Sequence, residues 1–374
     1  MHIGIAGAGL LGRLLAFELA RAGHRVSVFD PAADAVTRTA AGWTAAGMLS
    51  PVAELECANE AVFALGLRSL ELWPQIVAAL GAPVEMRQRG SLLLAHRGDE
   101  GAARRVVDLL VRKAPQGHAP QTLDATALRE LEPSLQGPAH AWLLPHEGQI
   151  HTVQTMAALA AAGSANGVRW HWGEAVGAIR PGGLHTVRGD HRFDHVFDVR
   201  GTGARPDVPV RGVRGEILWL HAPGVVLNRP LRLLHPRHRV YLVPREGDLL
   251  IVGASEIESE DRSPISLRST VELLAAAHSV VPALAEARVV HFETNLRPAL
   301  PDNLPRVEQS GGLTRINGLF RHGWLIAPAL VEQALAHLND QATGAAIKTT
   351  VAATVTTATA TAAIPTTPTE VHAA

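Results

Sequence analysis

The chain has 374 residues, 47% hydrophobic and 18% charged, with a formal net charge of -1. That length suggests two domains or one two-lobed unit with ample core, and the near-neutral balance argues against a nucleic-acid binder, which would carry a basic excess. Cys57 is the single cysteine, so no internal disulfide forms, a reducing compartment fits, and a buried, inert thiol is expected.

The first residues, His2 to Ala6, read as a strand rather than as a basic stretch followed by an apolar run. No run of about 20 apolar residues follows, so no membrane span is predicted, and a cytoplasmic protein is expected. Gly7-Ala8-Gly9-Leu10-Leu11-Gly12 comes directly after the strand. Leu11, Leu15 and Leu19 then lie on one helical face, with Leu14 beside them, and Gly23 ends the helix. Arg25 to Phe29 is a second strand, closed by Asp30. This is GxGxxG in its required strand–turn–helix context. Gly7 allows the tight turn, Gly9 lets backbone amides approach a pyrophosphate, and Gly12 lets helix and strand pack closely. The helix N-terminus favours phosphate charge, and Asp30 can hydrogen-bond a ribose hydroxyl. The unit predicts a dinucleotide without separating FAD from NAD.

Residues 37–51 are small and Gly/Ala-rich. Helices are expected over 58–80, 99–114, 124–133 and 152–162, and a short strand over 91–95. Strands follow over 168–173, 184–188 and 193–199, and 214–255 is strongly β. A helix at 267–279, strands at 288–296 and 314–317, and a helix near 327–338 complete the ordered part. The Ala/Thr-rich stretch 343–374 reads as a disordered low-complexity tail. The 19 histidines are scattered and none joins a cysteine at metal-ligand spacing, so no metal is expected.

Four stretches beyond the turn carry a resemblance. They are Ala45-Ala46-Gly47-Met48-Leu49-Ser50-Pro51; Glu147-Gly148-Gln149-Ile150; Tyr241-Leu242-Val243-Pro244-Arg245 with Val252-Gly253-Ala254; and Leu296-Arg297-Pro298 with Pro301-Asp302 and Pro305, then Gly318 to Pro328. In this order they resemble the D-amino-acid oxidase superfamily of FAD-dependent oxidoreductases, most of all its glycine oxidase branch from bacterial thiamine biosynthesis. The resemblance implies an α/β, two-lobed fold. A discontinuous Rossmann-type FAD-binding domain would take 1–85, 146–209 and 296–342, and an antiparallel-sheet substrate domain 86–145 and 210–295.

It also implies roles. Arg297 would clamp a substrate carboxylate through its guanidinium fork, Tyr241 would hydrogen-bond the same group, and Arg321 would sit near substrate or flavin. FAD, held non-covalently, would touch Gly7, Gly9, Leu10, Leu11, Gly12 and Asp30 at one end. Ala46, Gly47, Met48, Gly203, His322, Gly323, Trp324 and Leu325 would line the rest, with amides near Gly323 to Pro328 facing the negative end of the flavin. Neither His151 nor His322 is needed as a base. The family ends its middle flavin-domain strand on a small-residue run, whereas this chain has Asp198-Val199-Arg200-Gly201; Arg200 could pair with Asp198 or approach the flavin. The expected activity is oxidative deamination of glycine, small amines or D-amino acids, with molecular oxygen reduced to peroxide. Self-association is common in the family, and neither nucleic acid nor membrane is an expected partner. A D-amino-acid or sarcosine dehydrogenase feeding a quinone or carrier, and a non-catalytic flavin-binding module, are the alternatives.

Overall fold

A computed structural model describes residues 1–235 and 239–342. The stretch 343–374, expected to be a disordered tail, lies outside the described residues. Two large sheets organise the rest. The first has six strands in the order Arg306–Ser310, Leu313–Asn317, His195–Asp198, His2–Ala6, Arg25–Asp30, Arg169–Trp172. Five are parallel and Arg306–Ser310 pairs antiparallel at one edge. Parallel strands are covered on both faces and therefore read as continuous apolar runs. Here Ile3, Ile5, Val26, Val28 and Phe197 pack against helices, while Ala6, Phe29 and Val196 meet the other face.

Helix Leu10–Arg21 buries Leu11, Leu14, Leu15 and Leu19. It stops because Gly23 takes φ 83°, with Gly23 N–H donating to Ala20 O and His24 N–H to Leu19 O; this is a paired C-terminal cap that a residue with a Cβ would strain. A three-stranded meander, Val176–Arg180, Gly183–Thr186 and Gly189–Arg192, covers the opposite face. Its strands were only partly anticipated, since their side chains are largely exposed and lack apolar alternation.

The second sheet has eight strands, ordered Arg288–Ala299, Arg211–His221, Leu249–Gly253, Arg239–Arg245, Leu231–Leu234, Ser91–Ala95, His140–Leu144, Gln121–Leu123. All neighbours are antiparallel except Leu231–Leu234 with Ser91–Ala95. Strand alternation sends Leu218, Leu220, Leu231, Leu233, Val240, Leu242, Leu250 and Val252 to one side, where Leu273, Ala277 and Val280 of helix Leu267–Val280 complete a core. The other side carries the residues of the site. Among the described residues no helix is long and apolar enough to cross a membrane, and no cluster of His, Cys, Asp or Glu could hold a metal.

The last helix starts at Gly323, earlier than the expected 327, and contains Pro328. Proline removes the N–H that would bond Trp324 O. That carbonyl instead accepts the Trp73 indole N–H at 2.9 Å, and Ser69 Oγ accepts Ala329 N–H at 3.2 Å. Helix Glu60–Ala79, which supplies Ser69 and Trp73, therefore satisfies the groups that proline frees.

His195, buried in the first sheet and 2.9 Å from Thr314 Oγ1, has its pKa pulled down to about 4 by burial. The folded state keeps this ring neutral while the unfolded state takes a proton below 6.5. The stabilisation is thus complete above pH 6.5 and is lost as pH falls toward 4, at roughly 1 kcal/mol per pH unit. Denaturant midpoints measured across that window should fall with pH, and His195→Gln should flatten the slope; an equal slope in both proteins would sink this assignment.

Candidate active site

The chain turns into helix Leu10–Arg21 through Gly7, whose φ is 103°. A Cβ on Gly7 would lie 2.8 Å from Val199 O, and one on Gly12 would lie 1.8 Å from Gly7 O. Both glycines are therefore required by close backbone approach. Gly9 faces open space, with only Ala40 Cβ at 3.6 Å from an added methyl. Asp30 stands beside the turn: Oδ2 accepts Ala8 N–H at 2.6 Å and Oδ1 accepts Ala32 N–H at 2.8 Å.

A cavity of about 1670 Å³ runs from Gly7, Gly9 and Asp30, past Ala46 to Met48, to the face of the antiparallel sheet that carries Tyr241 and Arg297. Of the residues expected to touch a cofactor, all line it except Gly12, which lies behind the turn. The 45–48 loop is fixed from below. A Cβ on Gly47 would meet Ile150 O at 2.0 Å, and buried Arg245 donates to Ala46 O and Ile150 O. At the far end, Gly323, Trp324 and Leu325 form the first turn of the last helix. This helix end, entered through the tight turn Phe320–His322, carries the positive end of the helix dipole, which favours an anion. Glycine cradle, acid, confined loop and helix end form one continuous groove that fits an extended dinucleotide.

Tyr241 and Arg297 come together through two glycines within strands. Tyr241 pairs with Gly253 across neighbouring strands, and a Cβ on Gly253 would sit 2.6 Å from the tyrosine oxygen. The Arg297 guanidinium lies over Gly215, where a Cβ would be 2.5 Å from its central carbon. Glycine inside a strand marks such an approach. Arg297 donates to Ser255 O at 3.0 Å and Arg214 O at 3.3 Å and forms no ion pair among the described residues. Burial pulls its pKa down and pushes that of Tyr241 up. Gly215→Ala should displace this guanidinium and raise KM for a carboxylate substrate about tenfold or more, with FAD content unchanged. An unaltered KM would show that the furrow does not position Arg297.

Arg321 also reaches the cavity, but its charge is engaged. Nε lies 3.2 Å from Glu54 Oε2 and Nη1 lies 3.6 Å from Glu256 Oε2. His322 is buried against the same carboxylate, Nδ1 at 3.2 Å. Sequence reasoning missed Glu54, Glu256 and Arg232; their only signal is tertiary convergence. Gly215 and Gly253, in contrast, were readable as glycines within strand patterns.

Arg200 pairs with Asp198 at 2.9 Å and Asp207 at 2.8 Å, as one of its two anticipated courses has it, and it also lines the cavity. Cys57 corrects the expectation of a buried thiol: it is exposed on the cavity wall, touching Arg239. It sits in the turn after helix Pro51–Glu54, between buried Leu55 and Ala58. His151 accepts Gln154 N–H as a helix cap, and burial holds its pKa near 4.

The chain matches the DAO family, FAD dependent oxidoreductase, over residues 2–337. A Rhizobium etli protein provisionally named as the thiamine biosynthesis oxidoreductase ThiO is 40% identical over 334 residues, covering 88% of this chain and 94% of its own. Glycine oxidase from Geobacillus kaustophilus is 28% identical over 350 residues, covering 87% of this chain and 89% of its own. The crystal structure of the Geobacillus kaustophilus glycine oxidase superposes with a TM-score of 0.79 at 27% identity, covering 91% of this chain and 94% of that one.

Proposed function

The chain belongs to the DAO family of FAD-dependent oxidoreductases, and from that premise we propose that it oxidises glycine or another small amine or D-amino acid in thiamine biosynthesis, as the name of its Rhizobium etli relative suggests. The observation that carries this reading is Arg297, a half-buried guanidinium facing the cavity beside Tyr241, partly stripped of solvent and lacking a carboxylate partner among the described residues. A desolvated cation without a counter-ion is costly, and a substrate carboxylate supplies the missing charge.

FAD, when bound, supplies the acceptor for the two electrons of the substrate Cα–H bond. Residues from Gly7 to Asp30 would hold its nucleotide end, and Ala46 to Met48 with Gly323 to Leu325 its ring. Arg297 and Tyr241 hold the carboxylate and so fix Cα, which turns binding into orientation. The amine reacts in its neutral form, and no side chain in the cavity is assigned as its base. Water then hydrolyses the imine to the oxo acid and ammonia. On this reading residues 1–85, 146–209 and 296–342 form the cofactor domain and 86–145 and 210–295 the substrate domain, with Arg297, on the antiparallel strand that spans the boundary, serving the substrate. Oxygen is the proposed electron acceptor.

The FAD-loaded protein incubated with glycine in air should release peroxide and glyoxylate in equal amounts. Glyoxylate formed only with an added dye, without peroxide, would remove oxygen as acceptor. No oxo acid from glycine, sarcosine or D-alanine would remove the substrate class.

A further inference from the structure

Glu54 ends the short helix Pro51–Glu54 and is buried where three parts of the fold meet. Its Oε1 lies 2.9 Å from Arg232 Nη2, on the antiparallel sheet. Its Oε2 lies 3.2 Å from both Arg321 Nε and His322 Nδ1, in the turn before the last helix, at ion-pair distance but with neither N–H aligned on it. Burial alone would push this carboxyl up, yet Arg321 and Arg232 hold it well below the usual carboxylate range.

Arg232 stands directly opposite Tyr241 on the neighbouring strand, and opposed residues point to the same face. It therefore faces the cavity that holds Arg297. Its side chain is more than nine-tenths buried, and its Nε finds no acceptor. Three buried or half-buried guanidiniums, Arg232, Arg297 and Arg321, thus look into the cavity, whose wall also carries the exposed guanidiniums of Arg239, paired with Glu56, and Arg262, bonded to Asn295 Oδ1. Against them stand two carboxylates: Glu54 bridges Arg232 and Arg321, and Glu256 adds to Arg321. Two positive charges are compensated, and that of Arg297 is not.

We propose that Glu54 is a positioning residue that occupies Arg232 and Arg321, leaves Arg297 as the one anion site, and thereby restricts the cavity to substrates with a single carboxylate. This rests on the reading of Arg297 as the carboxylate anchor. A second carboxylate on the substrate would meet guanidiniums already neutralised, beside the charges of Glu54 and Glu256. Its desolvation would go uncompensated. Arg232 keeps a spare N–H, but using it would draw an anion against Glu54. Removing the Glu54 charge frees two adjacent forks for a second carboxylate, which binds through charge-assisted hydrogen bonds.

The test uses the FAD-loaded full chain, with acetate and malonate as mono- and dicarboxylate probes and dissociation constants read from perturbation of the visible flavin spectrum. The wild type should bind malonate no more tightly than acetate. Glu54→Gln should tighten malonate about tenfold or more and shift acetate by less than about threefold; Glu54→Asp, which keeps the charge, should return the ratio toward the wild type. A purely structural Glu54 would not change that ratio. Malonate about tenfold tighter than acetate on the wild type would overturn the proposal even if Glu54→Gln loses its flavin, and so would an unchanged ratio in flavin-loaded Glu54→Gln. Glycine is added anaerobically to the same wild-type sample. Flavin reduction with an unchanged ratio removes only the role of Glu54, whereas no reduction by glycine, sarcosine or D-alanine, added in turn, removes the anchor reading and this inference with it.

Discussion

Arg297→Met is expected to lower kcat/KM for glycine by on the order of 10² to 10³, mostly through KM, with FAD content unchanged. The magnitude follows from removing one partner of a buried charge pair, about 2–5 kcal/mol, at about 1.4 kcal/mol per factor of ten. The split follows from what the residue does, since a carboxylate held alike in the ground and transition states contributes mainly to KM. Stability should move the other way. Burial lowers the Arg297 pKa, and its hydrogen bonds in the free protein go only to two carbonyls. A methionine of similar length removes a half-buried, partly desolvated charge whose partner arrives with substrate, so the melting temperature of the variant should match or exceed that of the wild type. A drop of several degrees would instead mark Arg297 as a structural residue, and an unchanged KM would displace it from the site.

Gly12→Ala is expected to yield protein without FAD. The added methyl would stand 1.8 Å from Gly7 O. That atom belongs to a backbone turn and cannot swing aside as a side chain does, so the glycine turn must open or the helix must move off the strand. Overpacking of this kind costs roughly 1–3 kcal/mol, and here the distortion falls on the peptide groups that would meet the pyrophosphate. The neighbouring glycine supplies the contrast. Gly9→Ala places its methyl no closer than 3.6 Å to Ala40, within the open cavity. It should fold with wild-type stability in the absence of FAD and bind the cofactor more weakly. Visible absorbance per protein after purification separates the three proteins. A Gly12→Ala protein with full flavin content would contradict this account of the turn.

The parts of this molecule that were legible in its sequence are the local ones. The unit from His2 to Asp30 is written in consecutive residues: apolar strands, three glycines with separate steric duties, a leucine face and a terminal acid. Two of the glycine duties reappear in the structure as close backbone approaches, Gly7 against Val199 O and Gly12 against Gly7 O, while Gly9 faces the open cavity. Tyr241 and Arg297 were named through the resemblance, and the cavity brings both to one face of one sheet. What could not be read is convergence. Glu54, Arg232 and Arg321 lie far apart in the chain and meet in one ion-pair group, and no spacing announces that. The start of the last helix was misplaced for a related reason. Pro328 lacks the N–H that a helix interior needs, and only Trp73 and Ser69, far away in the sequence, satisfy the groups it frees and let the helix begin at Gly323. The outer strands of the meander, Val176–Arg180 and Gly189–Arg192, escaped because their largely exposed side chains carry little apolar alternation, and Cys57 was misjudged because a cysteine's burial depends on packing.

The most direct measurement is the visible spectrum of the FAD-loaded protein before and after glycine is added without oxygen. The account predicts that the flavin band bleaches with glycine and is restored by air, and that Arg297→Met needs far more glycine for the same bleaching. A bound flavin whose spectrum is unchanged by saturating glycine, sarcosine and D-alanine would contradict it.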